Sequence, residues 1–363
     1  MRLGAELPFA AAADLLARCT GTRISAATVR RLTVAGGQTL RQLELDFTAT
    51  VEAGTAAAAA APREPLQLSV DGSMVPLVGG EWREVRVAAI GRLAGWGAAP
   101  RATGLSYAAT LGSAEAFGRE ALGEVHRRGV DRAATVVAVS DGAPWIQGFL
   151  DLHAPGAVRV LDFAHAAGYL AQAAQAAFGC GTAATGEWFA GQRHELRHGD
   201  PERVLAALAA LPASAERDGA LRYLGERRAM IAYRTLSAAG WPIGSGCVES
   251  AHKTVLQARL KRGGARWRLP TAEAMVALRV AIANGRWDEL WPRLGPRQRR
   301  DRQDRRAARR RARPSVPPRP SAAPLTPAAA TPRPPLVRQG TPTPNHPWRR
   351  PSIRHVPRSP TQM

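Results

Sequence analysis

Three acidic residues of this sequence have the surroundings that a divalent-cation site needs. Asp71 in SVDGSM and Asp141 in AVSDGAPWI each follow an apolar run, where a predicted strand ends and leaves the core. Mg²⁺ prefers carboxylate oxygens and keeps positions for water or phosphate, so two Asp on neighbouring strands suit it. Glu249, in the first turn of a predicted helix capped by Ser245, can supply a third ligand by packing across the sheet. Such a triad predicts in-line displacement at phosphorus with two metal ions.

Each of these acids also has an ordinary structural interpretation. Asp-Gly at 71–72 and again at 141–142 is a common turn dipeptide. Glu249 and Lys253 have the i,i+4 spacing of an exposed helical ion pair. The functional interpretation is favoured because all three acids fall at strand ends or at a helix start within one predicted fold.

Asp162 and His165 form a further D-x-x-H pair at the end of the next predicted strand. We predict that both belong to the catalytic constellation as residues beside the metal ligands, with the imidazole orienting a phosphate. The alternative is a structural hydrogen-bonded pair. A role as metal ligands would need further ligands, which the surrounding sequence does not offer.

Basic side chains follow Glu249 directly along the chain. Since phosphates need cations beside the metals, this series predicts a DNA groove, although a basic face is more often only a solvated one. Its members are Lys253, Arg259, Lys261, Arg262, Arg266 and Arg268.

Residues 8–32 have the spacing of a helix-turn-helix, with Gly21 in the connection and Ser25 as the predicted N-cap of the second helix. Arg30 and Arg31 on that helix are then candidates for contact with DNA. A plain helical hairpin has the same pattern and remains the alternative.

The elements between these motifs predict an α/β catalytic domain over 65–292. A hairpin with its turn at Gly79-Gly80 precedes a helix capped by Ser113 and then two Val-rich strands. This order is typical of a ribonuclease-H-like mixed sheet. An all-helical insertion is expected over about 163–240, and a helical, helix-turn-helix-like segment over 1–64, with the boundary near Pro65.

Charge is concentrated at the C-terminus. Residues 293–363 hold 18 Arg and two acidic residues, so they carry +16 of the net charge of +21, along with more than half of the 28 prolines. This composition predicts a disordered basic tail, which favours nucleic acid as a partner through counterion release. A role in solubility alone is the alternative. The sequence shows no membrane span or secretory leader, so we expect a cytoplasmic, nucleoid-associated protein with no membrane or small-molecule partner.

At these residues the chain resembles the DDE-type transposases of bacterial insertion sequences, in particular the Kra-type group, which is related to the Mutator-like branch. The resemblance covers about residues 5–292. It rests on VDGSMVP, EWREVRV, SDGAPWI, LDFAHAAGYL, IGSGCVESAHKTV and ARWRLPTAEAMVALRVAIANGRWDELW, in this order. It implies that Asp71, Asp141 and Glu249 bind the metal, and that Asp162 and His165 are the D-x-x-H feature before the insertion.

The resemblance further implies that Mg²⁺, with Mn²⁺ as a possible substitute, drives cleavage and strand transfer on double-stranded DNA. Element ends and target DNA would be the partners, bound by a homo-oligomer. Two other functions stay open. A catalytically inactive DNA-binding remnant is suggested by the short segment before the helix-turn-helix pattern, and a nuclease of the same fold would cut without joining ends.

Overall fold

The computed structural model describes residues 1–95, 100–311, 337–338 and 341–342. The chain divides into two compact units, Met1–Gln303 and Asp304–Met363. Within the described residues, no helix is both long enough and apolar enough to cross a membrane.

Three helices open the first unit: α1 (Arg2–Glu6), α2 (Phe9–Thr20) and α3 (Ala26–Glu52). Gly21 ends α2 in the left-handed conformation, and the Ser25 hydroxyl accepts a hydrogen bond from the Thr28 N–H at the start of α3. Both ends agree with the helix-turn-helix spacing. The second helix, however, does not stop near residue 32 but continues to Glu52.

Helix α3 is held against the rest of the unit by a close helix crossing. Gly37 lies so near the Ala274 carbonyl that a Cβ there would be 2.2 Å from its oxygen. The helix also packs on the helix over 114–127. The change of pattern near Pro65 is therefore a change from helix to sheet, and not a division between compact units.

A five-stranded mixed sheet follows, in the order β3-β2-β1-β4-β5. Strands β1 (Leu66–Pro76), β2 (Trp82–Ala94) and β3 (Arg101–Thr110) form an antiparallel meander. Strands β4 (Val136–Ser140) and β5 (Val158–Leu161) add on parallel to β1. The hairpin and the two parallel strands agree with the sequence prediction. Strand β3, whose ATGLSYAAT segment lacks a clear alternation, was not predicted.

Helices cover both faces of the sheet. On one face, α4 (Ala114–Arg127) and α5 (Pro144–His153) enclose an apolar core with Leu66, Leu68 and Val70. The opposite face near the hairpin carries α11 (Gly246–Ala251), whose axis continues through a π-helical turn (His252–Gln257) into α12 (Ala258–Leu260) and is followed by α13 (Leu269–Ala283).

The segment predicted as a helical insertion, about 163–240, is helical over nearly its whole length. It comprises α6 (Phe163–Phe178), α7 (Ala183–His198), α8 (Pro201–Ala209), α9 (Ala215–Glu226) and α10 (Tyr233–Ala238), with a 3₁₀ turn at Arg228–Ile231. Its apolar side chains join Val137, Val139 and Val160 in a core of their own, on the same face of the sheet as α11. The insertion is thereby packed against the parallel half of the sheet.

The last long helix corrects the predicted start of the basic tail. Helix α14 runs over Trp287–Arg311, so residues 293–311 are helical. Leu290 and Leu294 are buried in the core, and Arg297 forms an ion pair with Asp46 of α3, which gives this part of the chain the apolar and ionic contacts that a disordered segment lacks. In the second unit, β6 (Val337–Arg338) pairs with β7 (Thr341–Pro342). The rest of the predicted tail, 312–336, 339–340 and 343–363, lies outside the described residues.

Candidate functional site

Three aspartates stand side by side at one edge of the parallel strands. The β1–β4 register ends with Val70 opposite Ser140, so the next residues of the two strands are Asp71 and Asp141. In the β4–β5 register Ser140 lies opposite Leu161, and the Asp162 N–H donates to the Ser140 carbonyl at 2.7 Å. The strand register therefore places one acid after each of the three neighbouring strand segments.

Asp71 lies in the middle of β1, which corrects the prediction that it ends the strand. The strand runs on to Pro76 because it keeps its hairpin partner β2 after its pairing with β4 has stopped. Burial raises the pKa of the Asp71 carboxyl to about 6, and repulsion from Asp141, Glu84 and Asp162 adds to the increase, against the hydrogen bond from the Gly72 N–H. Among the described residues, no cationic side chain offsets this rise in the pKa of Asp71.

His252 lies beside Asp71, in the first position of the π-helical turn. Its Nδ1 is 3.7 Å from Oδ2 of Asp71, while its buried Nε2 has no hydrogen-bond partner within the described part of the chain. Burial, and then the charge of Lys261, lower the pKa of this imidazole. The neutral ring is therefore favoured, and it does not neutralise the carboxylate. Helical segments with π geometry occur often at functional sites.

Asp141 is held in a turn that the helical insertion braces. Its Oδ1 accepts a hydrogen bond from the Ala143 N–H at 2.9 Å, and its backbone carbonyl accepts one from the Tyr223 hydroxyl. The next carbonyl, that of Gly142, accepts two from Arg227, at 3.2 Å from Nε and 3.0 Å from Nη2. Arg227 also lies 3.9 Å from the ring centroid of Tyr223. Helix α9 and the residue that follows it thus fix the backbone of this acid.

Asp162 uses both carboxylate oxygens for backbone hydrogen bonds. Oδ1 accepts from the His165 N–H at 2.9 Å and caps α6, and Oδ2 accepts from the Ser245 N–H at 2.7 Å. This buried acid therefore joins the insertion to the turn before α11, and its oxygens are already engaged. His165 itself is exposed, with its ring packed edge-on against Tyr169 and Tyr223.

Glu249 is the predicted ligand that the structure does not bring into the group. Helix α11 turns Cys247, Val248 and Ala251 towards the core and leaves Glu249 exposed. Over the described residues, no group of three or more His, Cys, Asp and Glu side chains is arranged to hold a metal ion. The ordinary i,i+4 ion pair with Lys253 is not formed either. A role for Glu249 as third ligand stays a prediction.

Ser245 precedes α11 but does not cap it with its side chain, which corrects a further expectation. Its φ of −88° and ψ of 21° depart from the extended conformation of a capping residue. Its backbone N–H is instead used by Asp162. The start of α11 is thus fixed through the backbone and through Asp162.

The donors of Asp71 and Asp141 fit a hard divalent cation. One oxygen of each carboxylate accepts a backbone N–H, and the second oxygen of each makes no hydrogen bond to any described residue. Two neighbouring carboxylates, one with a raised pKa, are a donor set that Mg²⁺ or Mn²⁺ would stabilise. Asp71 and Asp141 would hold the ion.

The basic series after Glu249 divides into exposed and buried members. Lys253, Lys261, Arg262, Arg266 and Arg268 are exposed, and Lys261 donates to the Ser73 hydroxyl at 2.6 Å. Arg259 is buried, which corrects its assignment to a DNA-binding face. Its Nε donates to the Gly4 carbonyl at 3.2 Å, and its guanidinium lies 4.8 Å from the Phe9 ring and 4.9 Å from the Trp267 ring. Burial lowers its pKa to about 10.

The two DNA-binding candidates of α3 are exposed, and one of them lies near the basic series. Arg30 lines a groove of about 340 Å³ together with Arg266 and Arg268. Trp267, between those arginines, is held by hydrogen bonds to Pro76 and Val78 at the end of the hairpin. Arg31 lies on the adjoining surface of α3. The helix-turn-helix-like segment and the basic series therefore contribute to one surface.

Trp145, Trp241 and Trp267 could each stack on an unpaired base, and they differ in their surroundings. Trp267 is buried and donates its ring N–H to the Leu260 carbonyl, so it belongs to the core. Trp145 packs against Phe117 and lies 5.1 Å from the guanidinium carbon of Arg86. Trp241 lines an open groove. Of the three, Trp241 stays a candidate.

Sequence reasoning did not identify His252, Tyr223 or Arg227 as members of the site. His252 comes three residues after Glu249, a spacing that places both near one helix face and could have drawn attention to it. Tyr223 and Arg227 stand more than 80 positions after Asp141 within an ordinary helical pattern. No local signal distinguishes them, because their contact with Asp141 and Gly142 depends on how the insertion folds back.

Comparison with known proteins adds no family assignment: no family model and no curated protein sequence matches this chain.

Proposed function

We propose that this protein is a DNA transposase that cleaves and joins strands at the ends of an insertion sequence in a metal-dependent reaction. The observation that carries the proposal is the placement of Asp71 and Asp141 as neighbours beyond the last β1–β4 register pair, with one oxygen of each free of hydrogen bonds to the described residues. The pKa of Asp71, raised to about 6 first by burial, supports a role for this edge in cation binding.

The strand order supports a ribonuclease-H-like fold for the domain. The predicted hairpin and the two predicted parallel strands belong to one sheet, with the first acid on the central strand β1 and with the unpredicted β3 added beside β2. Fold likeness alone does not establish an activity. The proposal therefore depends on the acids and on the basic surface beside them.

Different residues of this chain would have different roles in the reaction. Asp71 and Asp141 would bind Mg²⁺, or Mn²⁺ in its place, and Glu249 would complete the ligand set from α11. Bound metal supplies activation of the attacking oxygen and stabilisation of the leaving oxygen in an in-line displacement at phosphorus. Asp162 holds the turn before α11, and His165, exposed at the start of α6, can donate a hydrogen bond to a phosphate oxygen.

Duplex DNA is the proposed partner, both as element ends and as target. Arg30, Arg266 and Arg268 line one groove, and such exposed cations gain affinity for phosphates by releasing counterions. We propose that a homo-oligomer assembles on the DNA, in a cytoplasmic protein associated with the nucleoid.

The decisive experiment is a cleavage assay on labelled duplexes taken from both flanks of the gene. With Mg²⁺, the protein is expected to nick or cut these duplexes and to join the ends to a target plasmid. Asp71→Asn, Asp141→Asn and Glu249→Gln should each abolish cutting while DNA binding persists. Asp218→Asn, at an exposed acid paired with Arg217, is the matched control and should cut normally.

The position of Glu249 favours one alternative, a DNA-binding remnant without catalysis, because this acid stands outside any group of three ligands among the described residues. Salt-sensitive DNA binding with no metal-dependent cutting would support that alternative. Cutting without joined products would indicate a nuclease. Cutting that survives in Asp71→Asn and Asp141→Asn would refute the proposed site.

A further inference from the structure

An open groove of about 610 Å³ lies beside α11, and none of the three aspartates Asp71, Asp141 and Asp162 lines it. Its walls come from β3, from the turn at 241–246, and from helices α7 and α11. A volume of this order lies within the roughly 300–1,000 Å³ of pockets that bind small ligands. The groove is thus large enough for one nucleotide unit.

The charge of this groove is positive on both sides. Arg101 on β3 and Arg197 on α7 line it, and none of the described residues that line it is acidic. Both arginines are exposed, and neither forms an ion pair with a described residue. The Arg197 guanidinium carbon lies 5.5 Å from the centroid of the Phe163 ring, and no described carboxylate pairs with it. Two uncompensated arginines facing one groove favour an anionic ligand.

The floor of the groove is suited to a flat, partly polar group. The partly buried side chain of Trp241, which packs against the apolar core of the helical segment, lines it next to Pro242 and Ile243. Gln67 and Ser250 add polar side chains to the lining, and the amide nitrogen of Gln67 donates to the Gly244 carbonyl at 3.4 Å. Aromatic stacking with hydrogen-bonding groups and flanking arginines is how proteins hold an unpaired base and its phosphates.

A double helix does not present an isolated base to such a groove, because its bases are stacked and paired. An unpaired nucleotide offers both an exposed ring for Trp241 and a phosphate for the arginines. A free nucleoside phosphate has the same chemistry. The strand is favoured because Arg101 and Arg197 stand on separate elements of the groove wall, which suits two successive phosphates of a chain.

The groove is also next to the proposed ligand on α11. Ser250, which lines the groove, directly follows Glu249, and the turn at 244–246 that forms part of its wall contains the N–H bound by Asp162. A strand held in this groove would therefore lie along the helix that carries Glu249.

We propose that this groove binds an unpaired nucleotide of a DNA strand, with its base on Trp241 and its phosphates on Arg101 and Arg197. The inference rests on the proposed function, since a strand end freed by cleavage would supply such a nucleotide. The binding itself needs no metal and no catalysis, so it can be tested apart from cutting.

The test is photocrosslinking of the full chain, in EDTA, to a short single strand that carries one 5-iododeoxyuridine. An excess of unlabelled blunt duplex occupies non-specific basic sites, including those of the Arg-rich C-terminal residues. The expected crosslink maps to the peptide that contains Trp241. Arg101→Ala combined with Arg197→Ala should reduce its yield about tenfold, and Trp241→Ala should abolish it, whereas Trp241→Phe should retain strand binding measured by fluorescence anisotropy.

Arg203→Ala is the matched control, because Arg203 is an exposed arginine of the same insertion that does not line the groove. It should leave the crosslink unchanged. Equal losses in the control and in the groove variants would overturn the proposal. So would a crosslink that maps elsewhere, or one displaced equally well by a mononucleotide and by an unlabelled strand at the same nucleotide concentration.

Failure of the transposase proposal gives a different pattern. In that case the crosslink at Trp241 forms in EDTA, but the duplex cleavage assay with Mg²⁺ yields no product. Cleavage with no crosslink at Trp241 refutes the groove and leaves the metal site intact.

Discussion

Asp141 and Glu249 are both proposed ligands, but the structure holds them in opposite ways. The turn at Asp141 accepts hydrogen bonds from Ala143, Tyr223 and Arg227, so its position is fixed by two separate parts of the chain. Glu249 is exposed on a six-residue helix, and its side chain makes no hydrogen bond or ion pair with any described residue. The fold therefore fixes the position of Asp141, whereas the position of the Glu249 side chain depends on what binds beside α11.

Under the proposed function, this difference divides the metal site into two parts. Asp71 and Asp141 form a sheet-edge pair that exists before any ligand binds, because strand register alone makes them neighbours. The contribution of α11 can be adjusted, since the helix is short and continues through a π-helical turn at His252–Gln257. Asp71 and Asp141 should therefore determine the affinity for metal in the free protein. Glu249 on α11 should contribute to metal binding mainly when DNA is bound.

The largest expected effect separates the two acids by metal affinity. Asp141→Asn keeps the acceptor for the Ala143 N–H but removes the charge, so we expect Mn²⁺ binding without DNA to weaken about a hundredfold or more. Glu249→Gln should weaken it less than about threefold. Isothermal titration with Mn²⁺ measures both constants. Similar losses of Mn²⁺ affinity in the two variants would show that Glu249 binds the metal without DNA. The proposed difference between Asp141 and Glu249 would then be wrong.

A second prediction concerns the hydrogen bonds from Arg227 that fix the backbone next to Asp141. Arg227→Lys keeps the charge but loses the paired donors to the Gly142 carbonyl, so Mn²⁺ affinity should fall by about tenfold, as for other residues that orient metal ligands. Arg222→Lys, at an exposed position of α9 five residues earlier, is the control and should bind Mn²⁺ normally. An unchanged affinity in Arg227→Lys would mean that the turn holds its shape without the insertion.

A third prediction sets the pH range in which these comparisons are valid. Burial lowers the pKa of His153, whose Nε2 lies 2.8 Å from the Gly118 carbonyl, below its ordinary 6.5. At this group the unfolded chain binds a proton more readily than the folded one below pH 6.5, so its contribution to stability decreases as the pH falls through that range. Asp71 acts in the opposite direction, because its raised pKa lets the folded chain take up a proton between pH 7.0 and 5.5. Urea titrations at these two pH values should therefore show that His153→Gln loses less stability on acidification, or gains more, than the unsubstituted chain. An equal change in both proteins would show that His153 does not contribute.

The smallest expected effect tests how α11 begins. Since the Ser245 hydroxyl makes no capping hydrogen bond, Ser245→Ala should change the free energy of unfolding by less than about 0.5 kcal/mol. Ser113→Ala, which removes the hydroxyl that accepts from the Ala116 N–H at the start of α4, should cost about 1 kcal/mol. Chemical denaturation compares the two. A cost at Ser245 as large as that at Ser113 would show that its side chain does fix α11.

Several features of the fold could be predicted because their signals are local. The αL glycine at Gly21, the caps at Ser25 and Ser113, and the hairpin turn at Gly79-Gly80 each follow from a few neighbouring residues. Strand β3 was not predicted because its sequence has no clear alternation of apolar and polar residues. Its pairing with β2 holds it in the sheet. The helical start of the predicted tail was not predicted either. Its stability comes from the burial of Leu294 in the core and from the ion pair between Arg297 and Asp46.

Sequence by itself determined which acids are candidates, the order of the secondary-structure elements other than β3 and the helical start of the predicted tail, and the helical character of the segment over about 163–240. All three depend on residue type and short-range periodicity. Tertiary structure decided how those candidates differ. It made Asp71 and Asp141 neighbours through strand register, engaged both oxygens of Asp162 with backbone N–H groups, and left Glu249 exposed. It also buried Arg259 between Phe9 and Trp267. The burial of a side chain and its hydrogen-bond partners depend on residues far apart in the chain, and no local sequence pattern encodes them.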